Sequence, residues 1–143
     1  MNVIHSNKYI VVEIQVANGE IFDKLSILQI KKEKIQDQDK LKNIEKEFAE
    51  LQKAYDIIIN ATPASAVNVC NDLYKELIKI NGELWEIEDK LRKKEAIKKF
   101  DVEFIGLARQ VYFTNDLRCN VKKEINGLTL SNIVEEKSYE KYD

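Results

Sequence analysis

Polar side chains suited to binding an anion are concentrated in one short stretch of this sequence. Arg109, Tyr112, Asn115, Arg118 and Lys122 fall within fourteen residues, and helical spacing places them on two neighbouring faces of one helix. Arginine and lysine can bind phosphate oxygens, tyrosine can stack on a ring, and asparagine can bind polar edges. The set predicts a site for an anionic, ring-bearing ligand.

The same side chains could instead form an internal network of ion pairs. The preceding helix carries Glu88, Asp89 and Glu95, any of which could neutralise an arginine on the neighbouring helix. The two interpretations are compatible, because one arginine can bind a carboxylate and a ligand together.

Arginine is rare in this chain, with three residues against twenty lysines. Lysine serves equally well on a solvated surface, but it does not replace the planar, bidentate guanidinium. We therefore expect each arginine to bind a carboxylate or a ligand oxyanion, with chance survival as the alternative. Arg92 and Lys24 are further candidate phosphate contacts.

A second set of residues could hold a metal ion. Glu20 and Asp23 share one helix face, and Glu86 and Asp89 share another. Paired carboxylates can hold Mg²⁺, so the alternative function is a Mg²⁺-dependent hydrolase of a nucleotide or sugar nucleotide. Such pairs are also expected by chance among 25 acidic residues. We expect no metal, no cofactor and no catalysis, because His5 is the only histidine and no phosphate-binding loop or nucleophile motif occurs.

Composition excludes several classes of protein. The net charge is −2 and the pI about 5.6, whereas a general nucleic-acid binder or membrane-coating protein is normally basic. We therefore expect no long nucleic acid and no membrane among the partners. Cys70 and Cys119 are too few for a disulfide framework or zinc site, and no signal peptide or spanning segment is evident. These observations favour a cytoplasmic protein.

The periodicity predicts a single all-α domain over residues 1–143. One strand is expected over residues 8–16, after a loose start. The predicted helices span Glu20 to Gln36, Asp39 to Asn60, Ala66 to Lys94 and Val102 to Ile125, with a short last helix from Ile133 to about Ser138.

Two of these helices carry heptad seams. The second and third are joined by a short turn around Pro63, which predicts a long, coiled-coil-like antiparallel hairpin with the two other main helices packed on it. Trp85 is expected in the core. Two seams and one unpaired strand leave apolar surface, which predicts a homo-oligomer.

Four segments resemble a family of short helical proteins of unknown function. They are Val16–Leu28, Leu84–Arg92, Phe104–Arg118 and Glu135–Tyr139, and the resemblance covers about residues 9–142. The resemblance implies that this chain comes from a bacterium, a phage or another virus, and that its gene often lies near surface-polysaccharide genes. A viral setting implies a counter-defence role in which a host nucleotide signal is bound. The resemblance assigns no residue a role.

Together these arguments predict a cytoplasmic homo-oligomer that binds a phosphorylated or nucleotide-like ligand without turning it over. The alternatives are the hydrolase and, from the resemblance, a structural adaptor in surface-polysaccharide synthesis.

Overall fold

Four long helices make up most of the chain. The structure, a computed structural model, describes residues 2–6 and 8–142. Its elements are β1 (Asn2–Ser6), β2 (Tyr9–Glu13), α1 (Asn18–Lys34), α2 (Gln38–Ala61), α3 (Ala64–Ala96) and α4 (Val102–Leu128). The predicted all-α class is confirmed.

Aspartate caps set the starts of α2 and α4. The Asp37 carboxylate accepts hydrogen bonds from the backbone N–H groups of Asp39 and Lys40, and Asp101 accepts one from Phe104. A side chain in this position satisfies N–H groups that have no partner within the helix. The bond from Phe104, followed by that from Lys94, holds the pKa of Asp101 below its ordinary value. The predicted cap at Asp101 is therefore confirmed.

The long antiparallel hairpin consists of α3 and α4, not α2 and α3 as predicted. Arg118 bonds to Asn81 near the middle of both helices, and Lys94 bonds to Asp101 at the loop that joins them. The apolar seam of α3 packs on α4 and α1, and residues of α2 lie at the margin of this core. The buried core consists of Phe22, Cys70, Leu73, Leu77, Ile80, Leu84, Val121 and Ile125.

Helix α2 lies along α1 at the outside of the bundle. Ile44 is its only buried residue, and Tyr55, Ile58 and Ile59 near its C-terminus contact the core cluster. Thr62 and Pro63, both with extended backbone, separate α2 from α3. The predicted pairing failed because a heptad seam shows that a helix has an apolar stripe and not which helix covers it.

The N-terminal strand pairs within its own chain. The strand predicted over residues 8–16 is β2, and the predicted loose start contains β1, which pairs antiparallel to it with Asn2 opposite Glu13. All five residues of β2 are exposed. Because β2 is paired, an unpaired strand no longer supports an oligomer. The exposed apolar surface of β2 still favours one.

Residues 133–142 have no regular secondary structure and run back along α4. The short helix predicted from Ile133 is absent. The Ser131 hydroxyl accepts a hydrogen bond from the Asn18 backbone N–H, and the Asn132 amide donates to Gln15. Ser131 thus binds the first residue of α1, and Asn132 binds the segment before it, instead of capping a new helix. No helix in the described part of the chain is long and apolar enough to cross a membrane.

Candidate functional site

A buried polar network joins α1 to α3 at the centre of the bundle. Asp23 is 5% exposed, Asn81 5% and Ser26 0%. The Asn81 amide donates to Asp23 Oδ1 and to Ser26 Oγ, both at 2.8 Å. The Ser26 hydroxyl donates to the Asp23 backbone oxygen at 2.6 Å. Because buried polar groups are costly unless they are hydrogen-bonded, this network fixes the Asn81 side chain in one orientation.

Arg118 projects from α4 onto this network. Its Nη1 donates to Asn81 Oδ1 at 3.1 Å, and the side chain is half-buried. The ion pairs found among the described residues include none that Arg118 makes with a carboxylate. A neutral amide thus holds the guanidinium in place and leaves its charge uncompensated by direct contact.

A cavity of about 190 Å³ opens beside Arg118, where α1, α3 and α4 meet. Its wall combines apolar, aromatic, amide and charged groups. The lining residues are Ile27, Ile30, Asn81, Leu84, Trp85, Glu88, Asn115 and Arg118. Two of the predicted site residues, Asn115 and Arg118, therefore lie in one cavity.

Trp85 and Glu88 are cavity residues that the sequence analysis did not assign to the site. Trp85 was expected in the core, but it is half-buried and lines this cavity. Residues 81, 85 and 88 are spaced four and three apart, so they share one side of α3. One residue in the sequence could have indicated this site: Asn81, a polar amide beside the apolar seam of α3.

Lys122 lies one turn beyond Arg118 and is bound by carboxylates. Its Nζ is 2.7 Å from Glu20, 3.3 Å from Glu135 and 3.8 Å from Asp23. Burial lowers the pKa of Lys122, but the hydrogen bond with Glu20 and the three negative charges outweigh that effect and raise it. The internal-network interpretation thus describes Lys122, although its partners are not the acidic residues of α3 that were considered.

Lys24 and Arg92 lie at the periphery. The Lys24 ammonium is 3.8 Å from Glu20 and is more than half exposed. Arg92 is exposed on α3, one turn beyond Glu88. Neither belongs to the residues that line the cavity beside Arg118.

Arg109 and Tyr112 lie away from Arg118, outside the cavity. Arg109 precedes Arg118 by nine residues, about two and a half helical turns, which directs it to the opposite side of α4. Its guanidinium lies 5.8 Å from the ring centroid of Phe113. Tyr112 and Phe113 both contact the ring of Tyr142, whose hydroxyl bonds to Asp116. The predicted set is therefore divided between two sides of one helix.

The four carboxylates of the alternative metal site are not brought together. Glu86 binds Lys34 at 2.8 Å, Asp89 binds Lys93 at 3.1 Å, and Glu20 and Asp23 lie beside Lys122. Among residues 2–6 and 8–142, no three histidine, cysteine, aspartate or glutamate side chains form a group that could hold a metal ion. The two pairs occupy different places because Asp23 lies beside Asn81, whereas Glu86 lies beside Lys34, about three helical turns farther along α1.

A second cavity, of about 140 Å³, lies between α4 and the C-terminal segment. Its lining comes from both: Cys119, Asn120, Lys122, Lys123, Asn126, Glu135, Glu136, Lys137 and Tyr139. This cavity was not predicted from the sequence, because residues 133–138 were expected to form a helix.

Comparison with known proteins gives one match. A family model described as a family of unknown function, DUF6165, matches residues 11–142. No curated protein and no solved structure matches the chain.

Proposed function

Since the chain belongs to DUF6165, a family of unknown function, we propose its function from its own site. The protein binds a small anionic ligand that carries a ring, of phosphorylated or nucleotide-like type, in the cavity beside Arg118. It does so in the cytoplasm and without converting the ligand. The observation that carries this proposal is the half-buried Arg118 guanidinium, which Asn81 holds and which has no carboxylate partner among the described residues.

Arg118 is prepared for an anion before the ligand arrives. A guanidinium has five N–H donors, and the bond to Asn81 uses one of them. Asp23 and Ser26 fix Asn81 in turn, so little side-chain entropy remains to be lost when an oxyanion binds. A carboxylate or phosphate can then accept two parallel bonds from the remaining donors.

The other cavity residues suit the rest of such a ligand. Trp85 offers an aromatic surface for stacking a ring. Asn115 and Glu88 offer hydrogen-bonding groups for hydroxyls or the edge of a base. The apolar residues Ile27, Ile30 and Leu84 exclude water from the ring. The cavity therefore favours a ligand with both a charged end and a flat or ring-shaped body.

Binding without turnover is proposed because the acidic residues of the alternative mechanism already have lysine partners. Glu86 and Asp89 bind Lys34 and Lys93, and Lys122 lies against Glu20 and Asp23. A hydrolase would need these carboxylates to share one ion at about 2.1 Å.

Intrinsic fluorescence provides a direct test, because Trp85 is the single tryptophan. The protein is titrated with nucleoside mono-, di- and triphosphates, cyclic nucleotides and sugar nucleotides. At least one should quench the emission. Arg118→Lys should weaken its Kd by roughly 5–150-fold, equivalent to about 1–3 kcal/mol. Arg109→Lys is the matched control on the opposite side of α4 and should leave the Kd unchanged.

Thermal melts and product analysis separate the alternatives. Arg118→Lys without ligand should melt with the wild type, whereas a lower melting temperature would show that Arg118 stabilises the fold instead. No response to any member of the panel would overturn the proposal. Hydrolysis of a panel member with Mg²⁺ that disappears in Asp89→Asn would favour the hydrolase.

A further inference from the structure

The loop between α3 and α4 forms an exposed end of the molecule, which we define as the α3–α4 apex, residues 97–105. Lys98 has a positive φ of 54° and reverses the chain after α3. Lys94 is only 13% exposed and bonds to both Asp101 and Glu103 across the loop. The apex is therefore a rigid, well-anchored turn.

Large apolar side chains project from the apex into solvent. Ile97 is 69% exposed, Phe100 52%, Val102 84% and Ile105 56%. These four lie within nine residues, whereas scattered single exposed apolar residues are normal on protein surfaces. Farther along α4, Tyr112 and Phe113 are also exposed, but there Tyr142 packs against them. The apex has no such cover from the described part of the chain.

The last turns of α3 and the apex together carry an excess of positive charge, although Lys94, Lys98 and Lys99 pair with acidic residues of the same segment. Residues 90–103 contain six of the 23 basic residues and three of the 25 acidic ones. This segment therefore carries +3, and the remainder of the chain carries −5. The six basic residues are Lys90, Arg92, Lys93, Lys94, Lys98 and Lys99. The net charge of −2 is therefore the sum of one basic segment, residues 90–103, and an acidic remainder.

We propose that the α3–α4 apex docks on an anionic lipid surface. Ile97, Phe100 and Val102 enter the boundary between headgroups and acyl chains, and the exposed Lys98 and Lys99 contact the headgroups. Basic residues around a short apolar patch are the combination by which proteins lie on a membrane without crossing it. The acidic remainder of the chain is repelled by the same surface, so the molecule is oriented with its apex toward the lipid.

Charge argues against a second copy of the chain as the occupant. Two copies that face each other at this end would bring together two segments of charge +3, residues 90–103, and like charges in apposition oppose association. An anionic surface has the complementary sign. The expectation that this protein has no membrane partner came from the net charge of the whole chain, which does not report how the charge is distributed.

Vesicle co-sedimentation of the full chain tests the proposal. Vesicles of phosphatidylcholine alone are compared with vesicles that also contain phosphatidylglycerol. The protein should sediment with the second kind only, and less as salt is raised. Lys98→Glu should weaken binding about tenfold or more, because each basic residue near such a surface contributes a factor of about five. Val102→Ser should also weaken it.

Two variants of α2 provide matched controls. Lys53 pairs with Glu50 three residues away and is 71% exposed, as Lys98 pairs with Glu95 and is 75% exposed. Ile57 is 70% exposed and matches Val102. Lys53→Glu and Ile57→Ser should bind vesicles as the wild type does.

Three results would overturn the proposal. The first is an absence of binding to anionic vesicles. The second is equal loss of binding in the apex variants and in the α2 controls. The third is a dimer that Val102→Ser dissociates, which would show that a second copy covers the apex.

Discussion

Replacing Asn81 by leucine should destabilise the protein more than any substitution on the surface of α3. The side chain of Asn81 is 5% exposed and takes part in three hydrogen bonds, with Asp23, Ser26 and Arg118. Leucine has the same number of side-chain heavy atoms in the same branched arrangement and leaves no cavity, so the main effect is the loss of these bonds.

The size of the effect follows from what each partner loses. Asp23 is 5% exposed, and its charged carboxylate loses the hydrogen bond that Asn81 donates to it. A hydrogen bond to a charged group contributes about 1.5–3 kcal/mol. Ser26 loses an acceptor bond worth about 1 kcal/mol, and the half-buried Arg118 loses less. The free energy of unfolding should fall by about 3–4 kcal/mol, which lowers the melting temperature by about 10 °C for a domain of this size.

Denaturant unfolding of Asn81→Leu and Asn71→Leu provides the measurement. Asn71 lies on the same helix but is exposed, with one long hydrogen bond of 3.4 Å from Tyr55, so its loss should cost less than about 0.5 kcal/mol. A difference below about 1 kcal/mol between the two variants would refute the view that the network holds α1 on α3.

Two glycines, one tyrosine and the N-terminal strands give four more predictions. A Cβ on Gly19 would lie 2.6 Å from the backbone oxygen of Lys122, so Gly19→Ala should cost about 1–3 kcal/mol. Gly82→Ala, with open space around it, should instead stabilise the protein by about 0.5–1 kcal/mol in urea melts. Burial raises the pKa of Tyr74 to about 12, so stability should be full below pH 10 and fall as pH rises toward 12, and Tyr74→Phe should reduce that fall. The exposed apolar surface of β2 leads us to expect a homo-oligomer, and light scattering that gives a single-chain mass of 16.7 kDa at micromolar concentration would contradict this expectation.

The sequence predicted the candidate site in part, because it shows side-chain chemistry along a helix but not the partners across it. Asn115 and Arg118 were chosen by residue type, and both line the cavity. Arg109 was chosen by the same reasoning, yet it lies on the other side of α4. Trp85 was assigned to the core because large aromatic residues usually pack there. Which face of α4 meets α1 and α3 decides all four outcomes.

The sequence by itself determined the class of the fold and the approximate bounds of its four long helices. Apolar residues recur with the helical period, and aspartates stand where α2 and α4 begin. These are local signals, because they depend on residues within a few turns of one another. Proximity along the chain therefore suffices to predict these four helices.

Only the tertiary structure decided how the elements combine. The α3 seam packs on α4 and α1, β1 pairs with β2, and the C-terminal segment lies along α4 because these arrangements bury the apolar stripes and satisfy the polar groups together. Asp23 and Asn81 lie 58 residues apart in the chain but 2.8 Å apart in space. A contact of that kind depends on the packing of whole helices, so no local pattern in the sequence determines it.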